Sequence, residues 1–269
     1  MADKIISMYA KGMTVRDIQS HIEDIYGASI SSQTISNITD RILPKVEEWR
    51  NRQLEEIYAI VYIDGHRYKV RIDGQIKERT VYGILGIDIN GRKDLLGLWI
   101  SETETAKYWL SVFTDIRNRG VKDILIVTSD DLPGIQDAIC AVFTDSAYQG
   151  CVVHVIRNSL KYVSYQDRKE FSKSLKSLYK APTEESALTS LDEVKKRWGS
   201  EYPLALSVWY RNWDRIRTMF RFTEEIRRLI YTTNPIESFH RQLRKVTKNR
   251  SVFPTDTSVL KLLYLDRKS

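Results

Sequence analysis

Residues 123–134 read DILIVTSDDLPG, and the fold turns on them. The run 123–129 is β-branched and lacks polar alternation, which suits a strand buried on both faces, as in parallel sheets covered by helices. Gly120 ends a helical pattern just upstream, and Pro133-Gly134 opens another that runs to Phe143. A helix between two strands makes the later strand parallel to its partner. Asp130 then stands at the carboxyl end of its strand, where open α/β sheets place their ligands.

Upstream, residues 105–119 form an amphipathic helix with Trp109, Val112, Phe113 and Ile116 on one face. Before it lie strand-like runs at 60–63 and 68–72, a turn at Asp73-Gly74, a second strand at 80–89, the hairpin signal Asn90-Gly91 and a third strand at 95–100. Strands joined by tight turns are antiparallel neighbours. Residues 47–56 are a charged connector. Residues 3–48 are helical with breaks at Gly12 and Gly27, and they read as a helix-turn-helix. In it 15–26 supports 32–42, which presents Gln33, Ser36 and Asn37 to DNA. The alternative is a plain helical hairpin packed on the next domain.

Downstream, 150–153 is a further short strand, and 157–231 is helical almost throughout. Its apolar stripes, such as Phe171, Leu175 and Leu178, recur at helical spacing and read as core rather than as base-stacking surfaces. The stretch 232–248, TTNPIESFHRQLRKVTK, starts a helix with Asn234 as cap, Pro235 at the first position and Glu237 at the third. Arg241, Arg244, Lys245 and Lys248 follow at spacings of three and four and fall on one side, which could face a phosphate backbone. The apolar stretch 259–264 is left short of obvious partners. The fold class is α/β, divided as 1–48, 55–156, 157–231 and 232–269.

The chain has 269 residues, 42% of them hydrophobic and 29% charged, with a net charge of +7 that favours a polyanionic partner. Cys140 and Cys151 are its two cysteines, which excludes a disulfide scaffold and an all-cysteine zinc site. No apolar run approaches the roughly 20 residues that span a bilayer. A cytoplasmic location is expected, with no membrane partner.

Asp64, Asp130 and Glu237 stand out among the acids by placement. Asp64 lies inside the apolar strand VYIDG (61–65), where a carboxylate needs a partner or a metal to offset desolvation. If the first and fourth strands are adjacent, the two aspartates converge. Converging carboxylates repel unless divalent cations neutralise them, and oxygen donors suit Mg²⁺ or Mn²⁺. A pair of such ions can activate a water or a 3′-hydroxyl at phosphorus. Glu237 reads equally as a capping-box partner, and Glu102 or Glu104 are alternative third ligands.

The blocks VYIDG, DILIVTSDDLPG, CVVHVIRNSLKYVS (151–164) and RRLIYTTNPIESFHRQLRKVTK (227–248) together resemble the mutator-type transposases of bacterial insertion sequences. That family is a DDE group with a ribonuclease-H-like catalytic fold. The resemblance covers nearly the whole chain in order. It implies a ribonuclease-H-like mixed sheet, an all-helical insertion between the second Asp and the Glu, and Asp64, Asp130 and Glu237 as metal-binding catalytic carboxylates holding two ions of Mg or Mn. It sets Cys151 and His154, the family's Cys-x-x-His pair, beside the active site, although His154 alone reads as a hydrogen-bonded core histidine.

The implied partners are double-stranded DNA, as element terminal inverted repeats and as target, and further copies of the chain. The implied location is the bacterial nucleoid. Asp131 departs from the family's usual glycine and is expected to crowd the metal site or compete as its ligand. Pro235 stands where a small residue is common. The chain is expected to be truncated at both ends, which leaves an inactive DNA-binding remnant or inhibitor as the alternative to an active transposase.

Overall fold

The computed structural model describes residues 1–231, 238, 241, 244–245, 247 and 250–266. Four helices open the chain: α1 (Ala2–Ala10), α2 (Val15–Tyr26), α3 (Ser32–Asp40) and α4 (Leu43–Arg50). Thr14 and Asp17 form a capping box that starts α2, and Gly27 ends that helix in the left-handed region at φ 61°. Ser31 caps α3 through the Thr34 amide. Strands β1 (Ile57–Ile72), β2 (Gln75–Asp88) and β3 (Lys93–Ser101) follow.

The runs expected at 60–63 and 68–72 are one 16-residue strand, because residues 64–67 between them keep their ladder with β2. The first hairpin turns at Asp73 and Gly74, both at positive φ (49° and 77°), as a two-residue turn of matching twist requires. Next come α5 (Ala106–Asn118), β4 (Asp123–Ser129), α6 (Ile135–Val142) and β5 (Ala147–Gly150). The fifth strand thus ends at Gly150, where sequence reading begins it. From Cys151 the chain turns into α7 (Val152–Leu160), and Val152 and Val155 pack into the core as helical residues.

Helices α8 (Arg168–Tyr179), α9 (Glu184–Trp198), α10 (Pro203–Ile216), a 3₁₀ turn (Arg217–Arg221) and α11 (Glu224–Tyr231) make up the helical insertion. Among the described residues the last element is α12 (Asp256–Asp266).

The sheet order is β3-β2-β1-β4-β5, with β1, β2 and β3 antiparallel and β4 and β5 parallel to β1. This is the mixed, ribonuclease-H-like sheet expected of the sequence. One face carries Val61, Ile63, Ile84 and Val127 against Trp109 and Phe113 of α5 and Ile139 of α6. The other carries Ile60, Tyr62, Leu85 and Ile126 in a core continuous with the N-terminal helices, the insertion and α12. Burying both faces is what permits parallel strands in the middle of the sheet.

The 259–264 stretch is not short of partners. Val259, Leu262, Leu263 and Tyr264 are buried, Trp49 meets Tyr264 edge-on at 5.8 Å, and the Tyr9 hydroxyl donates to the Ser258 carbonyl at 3.1 Å. Those partners are 200 residues and more away in sequence, so local pattern could not show them. No described helix is long and apolar enough to cross a membrane.

Candidate active site

The register of β1 on β4 builds the site. Ile63 pairs with Ser129 at the last rung, so Asp64 and Asp130 are the next residues on two adjacent parallel strands. Beyond that rung β4 stops, while β1 continues to Ile72 beside β2. The aspartates therefore sit at a step in the sheet, at the carboxyl end of its parallel part, where a ligand crevice is expected.

Burial pushes the Asp64 carboxyl up to about 6. His154 opposes that rise, the Asp130 charge adds to it, and the Gly65 amide and Arg157 oppose it further. The Gly65 amide donates to Asp64 Oδ1 at 2.8 Å. A carboxyl group raised by a like charge beside it is what a cation would relieve.

Helix α7 closes the crevice. Cys151 stands immediately before its first residue and His154 in its first turn, which brings the thiol, the imidazole and the Asp130 carboxylate within 4.8 Å of one another. His154 Nδ1 contacts Asp130 Oδ1 directly as an ion pair. Burial alone would lower the His154 pKa, but its hydrogen bonds with Asp130 and Cys151 prevail and push it up to about 10. The contact places His154 to orient Asp130. The Tyr148 hydroxyl of β5 meets the Asp130 carbonyl at 3.1 Å and the Ser129 hydroxyl at 3.2 Å, which ties down the end of β4.

The cleft so formed, ≈ 260 Å³, is lined by Asp130, Asp131, Cys151, His154, Glu104 and Arg215, among others. Glu104 accepts a hydrogen bond from Tyr82 and opens onto the cleft. Glu102 pairs with Arg79 at 3.0 Å instead, so of the two alternative ligands only Glu104 lines the site. Asp131 is in ion-pair contact with Arg215, so its carboxylate has a partner in α10.

Glu237 and Lys248 lie outside the described residues. Arg241, Arg244 and Lys245 are exposed and helical. Arg244 lines a separate groove beside His66, Arg67 and Lys69 at the far end of β1. Arg250, the last cation of the row, faces inward, with its guanidinium 4.4 Å from the Tyr9 ring centre. In α3, Gln33 and Asn37 are exposed and Ser36 is partly so. The Gln33 amide donates to Asn37 Oδ1 at 2.9 Å. Sequence reading missed Tyr148 and Arg215, because each reaches the site only through tertiary docking.

Among the described residues the donors that gather within reach of one ion are Asp130, Cys151 and His154, while Asp64 stands next to them in the strand register and outside that cluster. Cys151 and His154 contribute to Asp130 itself, as groups around a metal ligand commonly do.

Comparison with known proteins gives the family. The family model described as Transposase, Mutator family matches residues 1–267. A probable transposase for insertion sequence element ISRM3-like of Sinorhizobium fredii is 47% identical over 98% of this chain and 66% of its own length. The transposase for insertion sequence element ISRM3 of Rhizobium meliloti is 46% identical over the same shares, 98% and 66%. A probable insertion-element transposase of Corynebacterium diphtheriae is 45% identical over 98% of this chain and 77% of its length. The chain thus spans slightly less than two thirds of the first two relatives, at 66%.

Proposed function

This chain belongs to the Mutator family of transposases, and on that premise we propose that it is a DNA transposase that hydrolyses the phosphodiester at insertion-sequence ends and joins the freed 3′-hydroxyl to target DNA. The observation that carries this reading is the juxtaposition of Asp64 and Asp130, each the residue just past the last parallel rung between β1 and β4. Glu237 would complete the carboxylate set, with Glu104 as the alternative already facing the cleft.

Asp64, Asp130 and the third carboxylate would hold two divalent cations, Mg²⁺ or Mn²⁺. Such ions, when bound, supply a lowered pKa for the attacking oxygen and charge neutralisation at the leaving one. The chain's own residues do the rest. His154 contacts one oxygen of Asp130, and Tyr148 fixes the backbone that carries it. Arg215 pairs with the neighbouring Asp131.

DNA would be engaged by Gln33, Ser36 and Asn37 of the helix-turn-helix segment 1–48, and by Arg241, Arg244, Lys245 and Lys248 along the phosphates. The catalytic part would comprise 55–156 and 232–269 around the insertion 157–231. Cutting two element ends requires at least a dimer, acting at the bacterial nucleoid in the cytoplasm. The test is a joining assay with Mg²⁺: labelled duplex ends with free 3′-hydroxyls should become covalently linked to plasmid. Loss of the product in Asp64→Ala is expected, and an Asp64→Ala protein that joins as well as wild type overturns the reading.

A further inference from the structure

Helix α10 brings a second groove up to the carboxylates. The groove, ≈ 300 Å³, runs between α7 and α10 and shares Asp131, Asn158, Asn212 and Arg215 with the cleft. Its described lining carries three cations, Lys161, Arg211 and Arg215, against one acid, Asp131, a net of +2. The acid is already committed to Arg215.

The placement of α10 is fixed from below. A Cβ added to Gly150 would lie 3.1 Å from Arg215 Cβ, so the absence of a side chain there lets the helix seat on the end of β5. Gln149, fully buried, donates to the Ile216 carbonyl at 3.2 Å. Arg215 therefore starts from a held backbone, and it is the groove cation that also lines the cleft. Tyr162, 48% exposed, adds an aromatic ring to the groove wall.

We propose that this groove carries the phosphate backbone of one DNA strand to the carboxylates, with Arg215 exchanging Asp131 for a phosphate when the strand arrives. The inference rests on the DNA-cutting reading above and specifies where the strand runs. Positive charge along a backbone track with an aromatic ring for stacking is the pattern of single-strand binding. Guanidinium suits the exchange, because it binds carboxylate and phosphate with the same fork of donors.

The test is the salt dependence of binding to a fluorescent duplex that carries a single-stranded extension, measured without divalent cations on the full chain. Each groove cation removed should reduce the slope of log K against log salt by about 0.7. The reduction is therefore expected to be about 1.4 for Lys161→Gln/Arg211→Gln and about 0.7 for Arg215→Gln, two cations against one. Asp131→Asn should strengthen binding several-fold, since it frees Arg215 and removes a negative charge.

Unchanged slopes in the groove variants, with wild type binding in a salt-dependent way, overturn the inference and leave the nuclease reading standing. Asp131→Asn and Arg215→Gln weakening binding alike, with the same fall in melting temperature, would make the pair a structural clamp and overturn the exchange. Preference for an RNA of the same sequence overturns DNA as the occupant. A wild type that binds no DNA overturns both readings together.

Discussion

At Asp64 a carboxyl group is held against its preference for water, and the consequence has a definite sign. Burial first, and the Asp130 charge besides, raise its pKa from 3.8 to about 6, so the metal-free folded chain keeps a proton that the unfolded chain has released. That contribution to stability is fully present below pH ~4 and is lost as pH rises through ~6. Asp64→Asn, which cannot ionise, should therefore raise the melting temperature of the metal-free protein at neutral pH, by an amount equivalent to at most about 3 kcal/mol, and leave it nearly unchanged at the acid end. Paired thermal melts at the two pH values check this.

A cation must displace the same proton. Mn²⁺ affinity measured by calorimetry should climb between pH ~5 and ~7 and level off above, and a flat profile would contradict the shift. Asp64 was legible in the sequence because a lone acid in an apolar strand has to be explained, and Asp130 because it ends a buried strand. Tyr148 and Arg215 carried no such mark. A tyrosine in a short strand and an arginine near the end of a helix look ordinary until docking brings them to the Asp130 backbone and the Asp131 carboxylate.

Among the elements, the turn from β4 into α6 depends on one residue. Gly134 adopts φ 72°, and a Cβ there would lie 2.7 Å from the Ala106 backbone at the start of α5. Both the left-handed conformation and the close approach exclude a side chain. Gly134→Ala should destabilise the fold by roughly 1–3 kcal/mol, read as a lower urea midpoint with an unchanged slope. Hairpin signals and the buried run at β4 fixed most of the sheet in advance, since Asn90-Gly91 and Asp73-Gly74 leave the chain few other paths.

What local pattern could not show was α12. It is apolar on residues whose partners, Tyr9, Trp49 and the α3 end, come from the opposite end of the chain. Lys261 is anchored there on Asp40 at 2.6 Å. Leu262→Ala, at a fully buried position, should cost about 2–5 kcal/mol, detectable by the same unfolding curves. The split at 60–63 and 68–72 failed for a related reason: the polar residues between the two runs carry no strand pattern, yet their backbone remains in the ladder with β2.

On the scale of the whole molecule, the sheet narrows at one place, and the chemistry is gathered there. The parallel pairing of β1 with β4 stops just before Asp64 and Asp130, α7 sets His154 against Asp130, and α10 reaches the rim through Arg215. The insertion and the N-terminal helices share one core on one face of the sheet, so a groove on α10 keeps a fixed relation to the carboxylates. The activity proposed for the chain rests on the carboxylate pair acting through bound cations on DNA. Nicking of supercoiled plasmid in Mn²⁺, compared across wild type, Asp64→Asn, Asp130→Asn, Glu237→Gln and Glu104→Gln, tests this most directly. The first three variants are expected to lose nicking by at least about a hundredfold, with Glu104→Gln retaining most of it. Nicking by Asp64→Asn or Asp130→Asn at the wild-type rate would contradict the account.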